Sequence, residues 1–469
     1  MRTPLSGYKT NERTGAYTSK ELRFQYEDSG AKLVFVAEDL VPVVFGMFKL
    51  LGVSEHEAQR RVVVLENGLE WAGGPPVSRS DAVKGLKTLV GLMNAGGKLD
   101  HEERFDGKQA NETVYLCYSS GTTGNPKGVE TTHLNINSVQ ECLKPAFPKL
   151  SSDKDLMLAM LPFYHIYGNS PLFSITTALI VPPVLVVLAR HAATDKYDMS
   201  SLKTLVSGAA PLGPDIVNQV QQRLNSGRDG KDECVIIQGY GLTETSPTTH
   251  FLPAPDGNRK VGSIGILLPN LEARLVDDGD GDVETKEGEP GELWIRGPIV
   301  MKGYLNNAAA TKASITHDGW FKTGDIAIRD QEGYYYIVDR KKELIKYKGF
   351  QVPPAELEGL MLSHPDIADA AVIGVYSESQ ATELPRAYVV HAHPEQLRTE
   401  ADTVVFQQEV RKWTQERVAR HKFLRGGVIA IDVIPKSASG KILRRELRER
   451  AKLELEGQDP GSDEIKAKL

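Results

Sequence analysis

Cysteine is scarce in this chain. Three cysteines, Cys117, Cys142 and Cys234, are spread through 469 residues without C-x-x-C spacing, which argues against a disulfide framework and a zinc site and fits a reducing compartment. Neither sign of charge dominates. The net charge of −6 gives no reason to expect nucleic acid or an anionic membrane as a partner. The polar start, MRTPLSGYKTNERTG, lacks the apolar core of a signal peptide. Only one long stretch lacks Asp, Glu, Lys and Arg: Tyr164 to Ala189. It is long enough to cross a bilayer, but Pro182 and Pro183 would break a spanning helix, so a buried helix followed by a buried loop is expected. No internal repeat is visible.

What remains is a chain too long for one core, with 40% hydrophobic and 25% charged residues, the profile of a soluble multidomain protein. Short β-branched runs, KLVFV at 32–36 and RVVVL at 61–65, alternate with amphipathic stretches such as VPVVFGMFKLLG, as parallel strands do in an α/β domain. TVYLCYSS (113–120), KTLVSGAAPLG (203–213) and CVIIQGYGLTE (234–244) each run from an apolar strand into small and polar residues. In parallel α/β sheets such strand ends hold nucleotides. After residue 260 the Gly- and Asp-bounded runs EARLVD, GELWIRG and GYYYIVD predict a β-rich subdomain. Residues 340–450 predict a small α+β domain, with a helix at PPAELEGLMLSHP. The charged end, 451–469, is expected to be loosely ordered.

The stretch YSSGTTGNPKGVE (118–130) carries the strongest chemical signal. Glycines allow close backbone approach to phosphate, hydroxyl and N–H groups donate to its oxygens, and Lys127 adds a point charge. It is not the common P-loop: counting from Gly121, Pro126 stands where the second glycine belongs, and Gly128 stands where Ser or Thr should follow the lysine.

SSGTTGNPKG resembles the phosphate loop of the AMP-forming adenylating superfamily, which includes acyl-CoA synthetases, 4-coumarate–CoA ligases, firefly luciferase and nonribosomal peptide adenylation domains. Its further motifs follow in the family's order: LPFYHIYG, SGAAPLG, QGYGLTET, GELWIRGP, GWFKTGD, YYYIVDRKKELIKYKGFQVPPAELE and PKSASGKILRREL. The match runs from about Tyr17 to Leu447 and is nearest to the acyl-CoA and 4-coumarate–CoA ligase branch. The resemblance implies an α/β fold, with a large N-terminal domain of parallel-sheet subdomains plus a β-rich subdomain, followed by a small mobile α+β C-terminal domain. It divides the chain into an AMP-binding domain over 1–338, incomplete at its N-terminus, a hinge at 339–341, a C-terminal domain over 342–450 and a charged tail over 451–469.

The resemblance also implies roles. Ser119, Ser120, Gly121, Thr122, Thr123, Gly124 and Lys127 would hold the β- and γ-phosphates of ATP. Glu244, with Thr123, would hold Mg²⁺, which needs few protein oxygens beside phosphate. Thr243 would contact the α-phosphate, while Gln238, Gly239, Tyr240 and Ala209 would flank the adenine. Asp325 would accept from the ribose hydroxyls, helped by Arg340. His165, Tyr167, Gly239 and Gly241 would line the acyl or thiol entry. Lys441 would be the catalytic lysine, stabilising charge as carboxylate attacks phosphate. Lys342, Lys346 and Gln351 would contact the adenylate, and Lys348 and Gly349 would contact coenzyme A after rotation about Asp339–Arg340–Lys341.

The expected function is therefore an ATP- and Mg²⁺-dependent acid–CoA ligase acting on aryl, arylalkenoic or medium-chain fatty acids. Rivals are an adenylating enzyme loading a separate carrier protein, a luciferase-like oxygenase and an inactive nucleotide-binding protein. Two departures support the last. The family's segment ahead of Tyr17 is missing, and a strand–helix–strand stretch is absent between Ile180 and Val181. Its loss is expected to leave unpaired sheet edges and holes in the core. Either coding sequence was skipped or the gene is a degraded paralogue. The final Ala467-Lys468-Leu469 resembles the S-K-L peroxisomal address and suggests the peroxisomal import receptor as a partner.

Overall fold

The computed structural model describes residues 18–65, 83–95, 104–119, 126–149, 151, 155–159, 175–197, 199–208, 212–226, 228, 233–277, 281, 283–436 and 441–461. The two apolar runs near the start form parallel strands, Val34–Ala37 and Val62–Leu65, joined on the far side by Lys87–Thr88. The Val41–Leu50 helix, with Pro42 in its first turn, covers them, and Val36, Val44, Met47, Phe48, Val62 and Val64 close the core between.

The second sheet has six strands. Leu156–Ala159, Ile175–Ile180, Thr204–Ser207 and Val235–Gly241 are parallel and adjacent in chain order, and Thr248–Phe251 and Ile266–Leu267 extend the sheet antiparallel. The uncharged stretch ends differently from expectation: a strand, Ile175–Ile180, is followed by a helix, Pro182–Arg190. The prolines occupy the helix's first turn, where missing N–H groups cost nothing, and so start a short helix where a buried loop was expected. No helix among the described residues is long and apolar enough to cross a membrane. The Ile180–Val181 junction is closed as well. The Ile175–Ile180 strand is paired on both sides, and Ile180 and Leu185 are buried. Neither the expected free edge nor the expected hole is found at this point among the described residues.

The run ending on the glycine stretch also differs from expectation. Thr113–Ser119 pairs antiparallel with Lys127–Thr132, Ser119 opposite Lys127, so the loop joins a hairpin rather than a parallel strand and a helix. Gly303–Tyr304 is its third strand. A β-branched run announces a strand but not the direction of its partner, which here is set by the equally β-rich GVETT just beyond the loop.

Four antiparallel strands, Glu272–Val276, Gly291–Arg296, Phe321–Arg329 and Tyr335–Arg340, form the expected β-rich part around Leu293, Ile295, Ala327 and Tyr335. The C-terminal unit pairs the long strands Ile367–Ser377 and Thr382–His391, adds Val428–Ala430 in parallel, and packs helices Pro354–Met361, Glu400–Gln415 and Arg444–Glu454 on them. The last helix passes residue 450. Beyond it, Asp459 accepts from the Ser379 N–H at 3.1 Å and the Gly461 carbonyl accepts from Gln380 at 3.2 Å. The stretch 451–461 is thus docked on the turn after Ser377, a correction to the expected loose tail. Its charge hid one carboxylate and one carbonyl that find long-range partners.

Candidate active site

The Val235–Gly241 strand and the tight turn after it organise the site. Gly241 faces the chain as it returns: a Cβ there would lie 1.7 Å from the Pro247 carbonyl oxygen, so only glycine lets the two backbones cross. The Leu242 N–H donates to that same oxygen at 3.1 Å, and Thr245 Oγ1 accepts from the Leu242 N–H at 2.9 Å. The short turn Thr243–Thr245 thereby holds Glu244 buried, with Thr243 half-buried beside it. The Glu244 carboxylate accepts from the Tyr304 hydroxyl at 3.0 Å, and its carbonyl accepts from the Met301 N–H at 2.8 Å.

Asp325 lies on Phe321–Arg329, opposite Arg340 at the end of Tyr335–Arg340. It is 4% exposed. Tyr240 donates to its Oδ2 at 2.6 Å and Arg340 Nε lies 3.2 Å from its Oδ1. Burial, and then the Asp325 charge, push the Tyr240 hydroxyl well above its ordinary range, so it stays protonated and donates. The Asp325 charge holds Arg340 firmly protonated. A carboxylate has about four acceptor sites, so Asp325 keeps room for further hydroxyl donors. Behind Tyr240, buried His250 has its pKa pushed down to about 3 by burial and sits 4.5 Å from the Tyr335 ring, a neutral aromatic backing.

Lys441 arrives from the C-terminal unit. It is half-buried; the surrounding protein, and then the Arg340 charge, lower its pKa, while Glu244, Asp325 and Glu343 oppose that shift. The lysine therefore shares one electrostatic neighbourhood with both carboxylates of the N-terminal unit. Just after it, Arg444 is clamped by Glu343 at 2.8 Å and by both oxygens of Glu358. The hinge candidates belong to both units. Asp339 accepts from the Arg340 and Ala355 N–H groups at 2.6 and 3.0 Å, and Lys341 reaches Glu292 at 2.8 Å.

The remaining expected residues make other contacts. Gln238 is buried and its amide donates to the Ser263 carbonyl at 3.2 Å, while the Gly239 position faces the Phe251 ring. Lys342, Lys346, Lys348, Gly349 and Gln351 are all exposed. Lys346 faces Gln351 across the hairpin Ile345–Tyr347/Phe350–Val352, and its two turn residues, Lys348 and Gly349, have φ of 47° and 84°. Such a left-handed pair is the usual two-residue hairpin turn. Ser119 and Lys127 face each other where the two paired strands meet the glycine stretch. Ser120, Gly121, Thr122, Thr123, Gly124, His165, Tyr167, Ala209 and the Ala467-Lys468-Leu469 end lie outside the described residues. Sequence reasoning missed Tyr304, whose MKGYLN setting carries no charge pattern to mark it.

Mg²⁺ fits this donor set. Glu244 offers one buried carboxylate, and Mg²⁺ is commonly held by one or two carboxylates with phosphates and water. The single three-donor group that could hold a metal among the described residues, His364, Asp366 and Glu409, lies in the C-terminal unit instead.

Two strands flanking a glycine-rich stretch, two buried carboxylates and a half-buried lysine from the C-terminal unit occur together in this α/β chain. The AMP-binding enzyme family matches residues 13–176 and 173–305, and the AMP-binding enzyme C-terminal domain matches 356–441. The chain belongs to the AMP-binding enzyme family. The first match breaks beside the Ile175–Ile180 strand, five residues or so from the junction singled out in the sequence. The chain is 41% identical over 386 residues to probable 4-coumarate–CoA ligase 1 of Dictyostelium discoideum, covering 76% of this chain and 66% of that protein. It is 35% identical over 467 residues to 4-coumarate-CoA ligase 1 of Narcissus pseudonarcissus, covering 92% and 78%. The chain thus spans just under two thirds of the Dictyostelium relative's length. Among solved structures, the anthranilate CoA ligase AuaEII in complex with anthranoyl-AMP superposes with a TM-score of 0.76 at 22% identity, covering 93% of this chain and 82% of that one. ATP-bound MatB of Rhodopseudomonas palustris gives 0.70 at 26% identity, with coverage of 93% and 82%.

Proposed function

We propose that this chain is an ATP-dependent acid–CoA ligase that forms an acyl-adenylate and then an acyl-CoA thioester, with aryl, arylalkenoic or medium-chain fatty acids as its substrate class. The observation that carries this reading is the buried Asp325 carboxylate held between Tyr240 and Arg340, with Glu244 buried on the turn that follows the same strand.

In the first step a substrate carboxylate oxygen bonds to the α-phosphorus of ATP and pyrophosphate leaves. Both partners are anions, so positioning and charge stabilisation dominate. Lys127 and the hairpin loop hold the leaving phosphates, Asp325 accepts from the ribose, and Lys441 offsets charge at the reacting oxygens. Glu244 would hold Mg²⁺, which would neutralise phosphate charge. In the second step the sulfur of coenzyme A attacks the acyl carbon and AMP leaves. This step requires Lys441 to withdraw, and the exposed Lys348–Gly349 turn is the surface that would replace it.

The names of the relatives favour a hydroxycinnamate-like acid. Transfer to a carrier protein instead of free coenzyme A is the rival outcome. The test is mass spectrometry of the purified chain with MgATP, coenzyme A and 4-coumarate, cinnamate, phenylacetate or hexanoate. A thioester from one acid class supports the reading; acyl-adenylate and pyrophosphate without thioester favour the carrier-loading rival.

A further inference from the structure

The segment Met301–Leu305 is stitched to both halves of the phosphate machinery. On one side Tyr304 pairs with Val129 and the Leu305 N–H donates to the Gly128 carbonyl at 2.8 Å, fixing the strand that follows the glycine loop. On the other, the Met301 N–H holds the Glu244 carbonyl at 2.8 Å. Between these backbone ties, the Tyr304 side chain is 8% exposed. Its hydroxyl donates to the Glu244 carboxylate at 3.0 Å, and its ring face carries the Lys127 ammonium 4.8 Å from the centroid.

We propose that Tyr304 is a positioning residue that sets the metal-holding carboxylate, Glu244, and the phosphate-holding cation, Lys127, in one fixed geometry for a magnesium–polyphosphate group. This rests on the adenylation reading above. The chemistry is that of an outer-shell donor. A carboxylate free to rotate would present either oxygen, whereas one oxygen tied to a buried hydroxyl leaves the other aimed at the cation. The ring does the second task. Lys127 is otherwise a long side chain at the start of a strand, and the aromatic face gives it a seat on the same residue that holds Glu244.

The experiment uses the full chain and Mn²⁺ as a paramagnetic probe, titrated with ATP present, beside the Mg²⁺ dependence of ATP–pyrophosphate exchange. Tyr304→Phe removes only the hydroxyl. Mn²⁺·ATP binding is expected to weaken about tenfold or more. Half-saturating Mg²⁺ should rise by the same factor, with half-saturating acid unchanged. Tyr304→Leu, which also removes the ring, should weaken binding further. In a Glu244→Gln background Tyr304→Phe should add almost nothing, because the two act as one unit. Wild-type exchange with Tyr304→Phe inside twofold on both metal readouts would overturn the proposal. So would equal loss in acid and metal parameters together with a lower melting temperature, the sign of a purely structural tyrosine. A wild-type chain that neither binds Mn²⁺·ATP nor exchanges pyrophosphate would overturn the adenylation reading itself, a result distinct from either.

Discussion

Replacing Arg444 by Met tests whether the lysine-bearing segment is held by a buried ionic clamp. Arg444 is 9% exposed, and its guanidinium bonds to Glu343 at 2.8 Å, to both oxygens of Glu358 and to the Val372 carbonyl at 3.2 Å. Met keeps most of the volume and removes the charge. Two carboxylates are then left in the protein without their cation, close to buried Asp339. Breaking a buried pair from one side costs about 3–5 kcal/mol. The C-terminal unit should therefore lose roughly a hundred- to several-thousandfold of its hydrogen-exchange protection, read by mass spectrometry on peptides from Ile367–Ser377. The pH dependence has a definite sign. Burial raises the Glu343 pKa, but the Arg444 charge and hydrogen bond outweigh it and hold the carboxylate below its usual range. That stabilisation is present above the unfolded-state pKa of about 4.3 and is lost as pH falls through the lower folded value. Without Arg444 only burial acts on Glu343 and favours its protonated form, so the deficit should shrink as pH is lowered from 7 toward 5. Glu358→Gln added to Arg444→Met should recover part of the loss. A deficit under about 1 kcal/mol, or one that does not change with pH, would refute the clamp.

Gly241→Ala should destabilise the chain by about 1–3 kcal/mol or more and abolish ATP binding, because the added carbon meets the Pro247 backbone and must break the Leu242–Pro247 hydrogen bond; thermal unfolding and nucleotide titration check it. Arg190 donates across the domain boundary to the Leu362 and Ile367 carbonyls, so Arg190→Ala should let the C-terminal unit swing more freely. Small-angle scattering should then give a larger radius of gyration, and an unchanged one would mean that the contact carries no weight. Burial pushes Asp339 up to about 7 against two backbone N–H donors. Its contribution to stability is full below the unfolded pKa of about 3.9 and is lost as pH rises through about 7. A carboxyl carbon NMR titration midpoint below 5 would contradict this.

Much of this architecture was legible in local pattern. KLVFV and RVVVL carry enough β-branched residues to fix their strands, and PPAELEGLMLSHP starts its helix with proline where proline fits best. What local pattern could not supply was the partner. TVYLCYSS reads the same whether its neighbour runs parallel or antiparallel, and only the GVETT strand beyond the loop decides. Pro182 and Pro183 were read as helix breakers because an interior position was assumed; at the first turn they initiate. In the candidate site, Glu244, Asp325, Arg340 and Lys441 are named through their motifs. Tyr304 is not, since its value comes from contacts with Glu244 and Lys127, sixty and more positions away in the chain.

The central claim is that Lys441 and the Glu244–Asp325 pair form one adenylation centre. ATP–pyrophosphate exchange on the purified chain tests it most directly, because exchange requires only the first half-reaction. The account predicts exchange that depends on one class of acid and falls by at least about a hundredfold in Lys441→Ala, with the variant folded as the wild type. Exchange unaffected by that substitution, or absent with every acid in a folded wild-type sample, would contradict it.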